Sequence, residues 1–283
     1  TLAESFTTGT ASNYTSVLSC TGNATPLAGS VLTVNAADTN IVCTWTNTRK
    51  STQLVLQKTW ANAKVNDAVS IPATTGFTNN TAVLASTANT ASETDAGTAV
   101  TVFAGEVGVL PTESFTTGLA ANYTTTGWSC TDGVLPAVII AQGANLTIPA
   151  NAGATYTCTL TNTRKSMQLQ LRKTWANATI NDAVNIPATT GFTNNTAVLA
   201  STANTASETD AGAAVTIFAG DAGVLPTESF TTGSAVNYTT TGWSCADGTN
   251  PTATVAQGGT LTAPAVSAGL TSVCTLPNSR GTP

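Results

Sequence analysis

Apolar and polar residues alternate with a period of two through much of this chain. Met167, Leu169, Leu171, Lys173 and Trp175 fall on one face of a run whose other face carries Gln168, Gln170, Arg172 and Thr174. Leu54, Leu56, Lys58 and Trp60 repeat that face earlier in the chain. A second recurring run places Tyr156, Cys158, Leu160 and Asn162 together, against Thr157, Thr159, Thr161 and Thr163. Its equivalents are Ile41, Cys43, Trp45 and Asn47, and Ser272, Cys274, Leu276 and Asn278. Such alternation is the mark of half-buried strands, and no long stretch shows a helical period. Over residues 51–165 it predicts strands near 53–60, 68–74, 81–87, 98–104, 109–115, 123–130, 145–149 and 155–163. The polar stretch from Thr87 to Gly97 reads as a loop or short helix over one sheet. About seven or eight short strands in roughly 115 residues predict an all-β sandwich.

The pattern also repeats as a block. Residues Thr75–Gly118 recur at Thr190–Gly233 with four changes: Thr98 to Ala213, Val102 to Ile217, Glu106 to Asp221 and Val107 to Ala222. The offset of 115 residues (190 − 75) is one small domain and too long for a solenoid coil, so each copy is expected to close its own core, as beads on a string. Glu4 to Gly9 matches Glu113 to Gly118 and Glu228 to Gly233. Residues 1–49 therefore read as the C-terminal half of a repeat, followed by full repeats at 50–165 and 166–283.

Composition narrows the function classes. Charged residues are 8% of the chain, His is absent, and hydrophobic residues at 41% suffice for packed cores. A net charge of −5 with nine Lys and Arg leaves no basic patch for phosphates, so nucleic-acid binding is not expected. No apolar run reaches the roughly twenty residues of a bilayer span, and Thr1 does not open a signal peptide, so the chain reads as mature or excerpted. Without His no Ser-His-Asp or Cys-His arrangement can form, and no phosphate-binding glycine loop is present; substrate turnover and cofactors are not expected.

Six cysteines fall in three pairs, Cys20 with Cys43, Cys130 with Cys158 and Cys245 with Cys274. A repeat that folds alone favours pairing within each copy, which implies an oxidising, extracellular compartment. Zinc is the competing reading, but two widely spaced ligands cannot close a tetrahedral site. Glu93 with Asp95, and Glu208 with Asp210, could hold calcium but lack regular ligand spacing and read as solvated loops; no metal is expected. Trp60 and Trp175 could offer a sugar-stacking platform, yet they share the inward faces and read as core. Asn13, Asn122, Asn145 and Asn237 fit the glycosylation pattern in a chain where Thr and Asn make chance matches common.

The inward faces carry an anomaly. Lys58 and Lys173, Asn162 and Asn278, and Glu113 and Glu228 (with Val109, Pro111 and Phe115, and their counterparts) all point at an apolar interior. An unpaired buried charge is costly. One account is a buried Lys–Glu ion pair with Asn as hydrogen-bond partner, or strand-end residues that reach water. The other is chemical: a desolvated, neutral amine attacks the Asn carboxamide while the carboxyl group relays protons, giving an intramolecular isopeptide bond.

These residues resemble a known family. Gln57-Lys58-Thr59-Trp60, Pro111-Thr112-Glu113-Ser114-Phe115 and Thr159-Leu160-Thr161-Asn162-Thr163, with Arg172-Lys173-Thr174-Trp175, Glu228 and Asn278, are similar to the prealbumin-like B-type domains of bacterial collagen-adhesin stalks and pilin backbones. Trp128-Ser129-Cys130 before Cys158 to Asn162 resembles the prealbumin-like repeats of giant secreted surface proteins. The resemblance covers the whole chain and implies tandem Ig-like or prealbumin-like sandwiches, with Lys on the first strand, Glu on a middle strand and Asn on the last, joined by an isopeptide bond that Glu113 or Glu228 catalyses. The family's usual Pro-Gly-Tyr after the Glu is replaced here by Phe-Thr-Thr-Gly, and a disulfide is added.

The expected function is mechanical: a segment of an extracellular, cell-surface fibre or adhesin stalk. Its partners would be neighbouring repeats or identical chains in the fibre, with a host or surface ligand left open. A surface-array protein is an alternative, as is a ligand-binding module using the variable loops at Gly133–Gly153 and Gly248–Gly269. Glu4 and Asn47 lack a Lys partner strand, so the half-repeat reads as a cut from a longer array, with strand addition from another molecule as the alternative.

Overall fold

The computed structural model describes residues Thr1 to Gly281; the last two positions of the 166–283 repeat lie outside the described residues. Among the described residues strands dominate, and helix is limited to 3-10 turns of three residues. The chain divides into two compact units. One combines Thr1–Gly118 with Thr125–Asn162, the other Leu119–Thr124 with the chain from Thr163 onward.

The first unit opens with a two-stranded ribbon, β1 (Tyr14–Thr21) and β2 (Val42–Arg49), paired antiparallel with Cys20 opposite Cys43. Next come β3 (Ser51–Ala61), β4 (Ala68–Ile71), β5 (Leu84–Thr87), β6 (Glu93–Ala96), β7 (Val100–Phe103), β8 (Val107–Val109) and β9 (Ser114–Thr117). The repeat ends with β10 (Tyr123–Thr125), β11 (Trp128–Thr131), β12 (Val138–Ile140), β13 (Asn145–Thr147) and β14 (Thr155–Arg164). The larger sheet has the order β12-β11-β14-β3-β6, with β7 also on β3 and β10 on β14; a smaller sheet runs β5-β4-β9, and β8 pairs with β13. Leu54, Leu56, Trp60, Val69, Ile71, Leu110, Trp128, Leu146 and Leu160 are buried, the core of a sandwich. Both core tryptophans keep their indole N–H satisfied, Trp60 donating to Ser86 Oγ and Trp128 to the Pro111 carbonyl, 2.8 and 2.9 Å. Gly108 is required because the Phe77 ring occupies the place a Cβ would take.

The second unit repeats this plan with β15 (Ser166–Ala176), β16 (Ala183–Ile186), β17 (Leu199–Thr202), β18 (Glu208–Ala211), β19 (Val215–Phe218) and β20 (Ala222–Val224). It continues through β21 (Ser229–Thr232), β22 (Tyr238–Thr239), β23 (Trp243–Ala246), β24 (Ala253–Val255), β25 (Thr260–Thr262) and β26 (Thr271–Arg280). Its larger sheet runs β18-β15-β26-β23-β24. The first and last strands lie side by side and parallel, with Lys173 opposite Leu276 and Trp175 opposite Asn278. Arg164 is buried, its guanidinium donating to the Ala219 carbonyl and pairing with Asp221 at 2.8 Å.

Several expected elements are corrected. Thr87–Gly97 is neither plain loop nor helix: Glu93–Ala96 forms β6 and pairs with β3, its polar side chains finding local partners that periodicity alone does not reveal. The expected strand at 109–115 is interrupted, because Pro111 has no N–H to give a ladder, and Glu113 lies between β8 and β9. The run 123–130 breaks at Thr126-Gly127, and Val138–Ile140 forms an edge strand that was not anticipated. In the half-repeat, Cys43 and Asn47 are exposed, since β1 and β2 form a two-stranded sheet with no second sheet described over that face.

Three disulfides join Cys20–Cys43, Cys130–Cys158 and Cys245–Cys274, each between directly opposed residues of adjacent antiparallel strands. Replacing Cys130 and Cys158 together by Ala opens a loop of 28 residues. The chain-entropy estimate gives a loss of about 3 kcal/mol for that repeat. Urea unfolding of the variant against the wild type, read by tryptophan fluorescence, should show it as an earlier transition.

Candidate functional site

Strand alternation and a proline-broken approach bring three side chains together inside each full repeat. Lys58 enters from the middle of β3, where Leu54, Leu56 and Trp60 share its face, and it is fully buried. Glu113 comes from the extended segment before β9, its backbone N–H held by Gln142 Oε1 at 2.8 Å. Its carboxylate reaches Lys58 Nζ at 2.8 Å with only 5% of the side chain exposed. Asn162, from the last turn of the alternation in β14, is also fully buried. The second repeat reproduces the set: Lys173 Nζ lies 2.7 Å from Glu228 Oε2, and Asn278 is buried one diagonal step from Lys173 across the parallel β15–β26 pair.

The bonding inside these clusters is incomplete. Lys58 Nζ and Glu113 Oε2 are in ion contact at 2.8 Å. Asn162 Nδ2 finds no partner among the described residues. In the second repeat Lys173 and Glu228 pair in the same way, and both amide atoms of Asn278 are without a hydrogen-bond partner among the described residues. Buried polar atoms in native proteins are nearly always bonded, so the bare amide nitrogens of Asn162 and Asn278 require an explanation. The ammonium of each lysine also lies over a tryptophan ring, Lys58 5.0 Å from Trp60 and Lys173 5.1 Å from Trp175.

Burial pulls both lysines down to about 8, even though the neighbouring glutamates favour the charged form. The neutral amine is therefore more accessible near neutral pH than that of a free lysine. The arrangement holds an amine and a carboxylate in contact, with a buried carboxamide on the neighbouring last strand. Acyl transfer from Asn to Lys with loss of ammonia would draw on these three groups.

Some participants are not visible in the residue pattern alone. Thr125 Oγ1 donates to Asn162 Oδ1 at 2.6 Å. Asp95 faces the same side as Lys58 in the β3–β6 pair and accepts from Ser86 Oγ at 2.6 Å, so it serves as a half-buried hydrogen-bond acceptor. Glu93 instead ties its own turn, accepting from the N–H groups of Asn89 and Thr90. The signal that could have flagged Thr125 is the hydroxyl residue two positions after Tyr in all three copies, Ser16, Thr125 and Thr240. In the half-repeat, Glu4 accepts from Asn47 Nδ2 at 3.2 Å and Ser16 Oγ donates to Asn47 Oδ1, with no lysine in the group. Among the described residues no cluster of His, Cys, Asp and Glu could hold a metal ion. No helix among them is long and apolar enough to cross a membrane.

No protein-family model matches the chain, and no curated protein matches it in sequence. Solved structures that resemble it in arrangement include the major pilin protein T-13 of Streptococcus pyogenes, with 10% identity over 82% of this chain and 97% of that one and a TM-score of 0.40. The C-terminal fragment of pilus adhesin SpaC from Lactobacillus rhamnosus GG shares 13% identity over 83% of this chain and 99% of that one, with a TM-score of 0.36. The Bacillus anthracis TIE protein shares 8% over 85% of this chain and 38% of that one, with a TM-score of 0.34.

A lysine that stays free in this pocket makes stability depend on pH. In a chain carrying Asn162→Ala and Asn278→Ala, the folded lysines at about 8 lie below their unfolded value of 10.5. The unfolded state therefore holds more protons between those values, and stability rises with pH across that window. Between pH 8 and 9.5 the gain should reach about 2 kcal/mol per repeat, seen as a later urea midpoint. A wild-type chain whose lysines are amidated should lack this contribution.

Proposed function

We propose that this chain is a structural segment of an extracellular bacterial surface fibre or adhesin stalk, in which each full repeat is closed by a disulfide and by a Lys–Asn isopeptide bond. The bonds join Lys58 to Asn162 and Lys173 to Asn278, with Glu113 and Glu228 as the proton-relaying groups. The observation that carries this reading is the buried Lys–Glu ion pair at the first strand of each full repeat, with an Asn amide nitrogen left without a hydrogen bond on the neighbouring last strand. In the reaction Lys transfers a proton to Glu, the freed amine attacks Asn Cγ, and Nδ2 departs as ammonia. The new C–N bond replaces the broken one, and no oxidant or cofactor is needed. The product removes a buried ammonium and an orphaned amide in one step.

Such a bond suits a load-bearing role. Force entering a repeat at β3 and leaving at β14 would cross the Lys58–Asn162 link and bypass the residues between. The disulfide closes a different loop, β11 to β14, and so does not duplicate that clamp. Partners on this reading are neighbouring repeats and identical chains, at the cell surface. The edge strand β12 offers the alternative of a contact or ligand surface: Val138 and Ile139 are exposed there, where the second repeat has Ala253 and Thr254.

Pulling single molecules of the full chain under reducing conditions tests the mechanical role. Wild type should show no release of the interior of either full repeat. The Asn162→Ala chain should yield one step of about 350 Å, from about 100 extended residues. Wild-type steps of that same length would overturn the proposal.

A further inference from the structure

Thr125 stands where a developing negative charge would need a donor. Its hydroxyl donates to Asn162 Oδ1 at 2.6 Å and lies 3.4 Å from Glu113 Oε1. Oδ1 is the atom that gains charge when an amine adds to Cγ. A hydroxyl fixed on Oδ1 also sets which way the carboxamide faces, leaving Nδ2 free to depart. The half-repeat makes the same contact with a different residue, Ser16 Oγ donating to Asn47 Oδ1. Elsewhere in the chain that ribbon has drifted in sequence, yet a hydroxyl remains at this place.

The contact is not imposed by sequence alone. Tyr123-Thr124-Thr125-Thr126-Gly127-Trp128 is identical to Tyr238-Thr239-Thr240-Thr241-Gly242-Trp243. In the second repeat Gly242 takes a left-handed φ of 84°, β22 stops at Thr239, Thr240 is exposed and Asn278 Oδ1 is bare. Gly127 is not left-handed, β10 extends to Thr125, and the hydroxyl is delivered. The six-residue stretch thus has two arrangements, one of which engages the amide.

We propose that the Thr125 hydroxyl is the oxyanion donor for cross-linking in the first full repeat, a role that rests on the Lys58–Asn162 bond proposed above. Lys58 passes one proton to Glu113 and adds to Asn162 Cγ. The charge that forms on Oδ1 is met by the Thr125 O–H. Glu113 gives its proton to Nδ2 and takes one from the attached Lys58 nitrogen. Collapse of the adduct restores the Oδ1 carbonyl and expels ammonia, leaving one new amide, one ammonia and a protonated carboxyl group, with atoms and charge conserved.

The test uses the full chain made in a timed cell-free synthesis, quenched in acid, reduced, and digested to quantify the Lys58–Asn162 and Lys173–Asn278 peptides separately. Thr125→Val should slow the first bond by about a hundredfold, the usual effect of losing one oxyanion donor. The second bond in the same molecules should keep its wild-type rate, and Thr125→Ser should restore the first. The Cys130–Cys158 disulfide, assayed before reduction, reports folding of the altered repeat. An unchanged first bond in Thr125→Val, equal slowing of both bonds, or no recovery with Ser would overturn the role of the hydroxyl and leave the cross-link standing. Wild type with neither bond would overturn both.

Discussion

Each full repeat is organised around a lysine that has no access to water. Its ammonium sits at the centre of a sandwich, between the first and last strands, with one carboxylate in contact and a tryptophan ring beneath it. Leaving a charge there is costly, and a single ion pair recovers that cost only when every remaining proton and lone pair is satisfied. Here they are not. The surrounding features follow from that constraint: the strand neighbours that place Asn beside Lys, the Pro-broken segment that delivers Glu, and the glutamine that holds the Glu backbone. The proposed bond resolves the conflict by turning the two least comfortable groups into an ordinary amide.

The same arrangement links chemistry to mechanics. On the proposed load-bearing reading, the first and last strands of each repeat would receive the load, and a parallel pair sheared along its length would depend on hydrogen bonds and packing alone. A covalent tie between those strands changes what must break. The disulfides join the last strand to β11 or β23 and do not span the first and last strands. In the first unit, β2 runs through the single residue Lys50 into β3, and Arg49 donates to the Ala104 carbonyl.

Much of this was legible in the sequence because alternation is a strong signal where one face is buried. Lys58, Asn162 and their counterparts stand out as polar interruptions of apolar faces, and the structure places them in the core. Repetition aided the pairing of cysteines. What was not legible depended on backbone detail. The strand Glu93–Ala96 is polar on both faces and carries no alternation, so its pairing beside Lys58 emerged only from the fold. The interruption at Pro111 and the break at Thr126-Gly127 divide runs that periodicity treats as continuous. Thr125 is the clearest case, since its sequence environment is identical to that of Thr240 while its contact is not.

The central claim is that the buried Lys, Glu and Asn are a completed reaction and not a resting polar cluster. The intact mass of the fully reduced chain decides it most directly. Two Lys–Asn bonds place that mass about 34 Da below the value for the sequence, a difference that reduction of disulfides cannot produce. A reduced mass equal to that of the sequence would contradict the account.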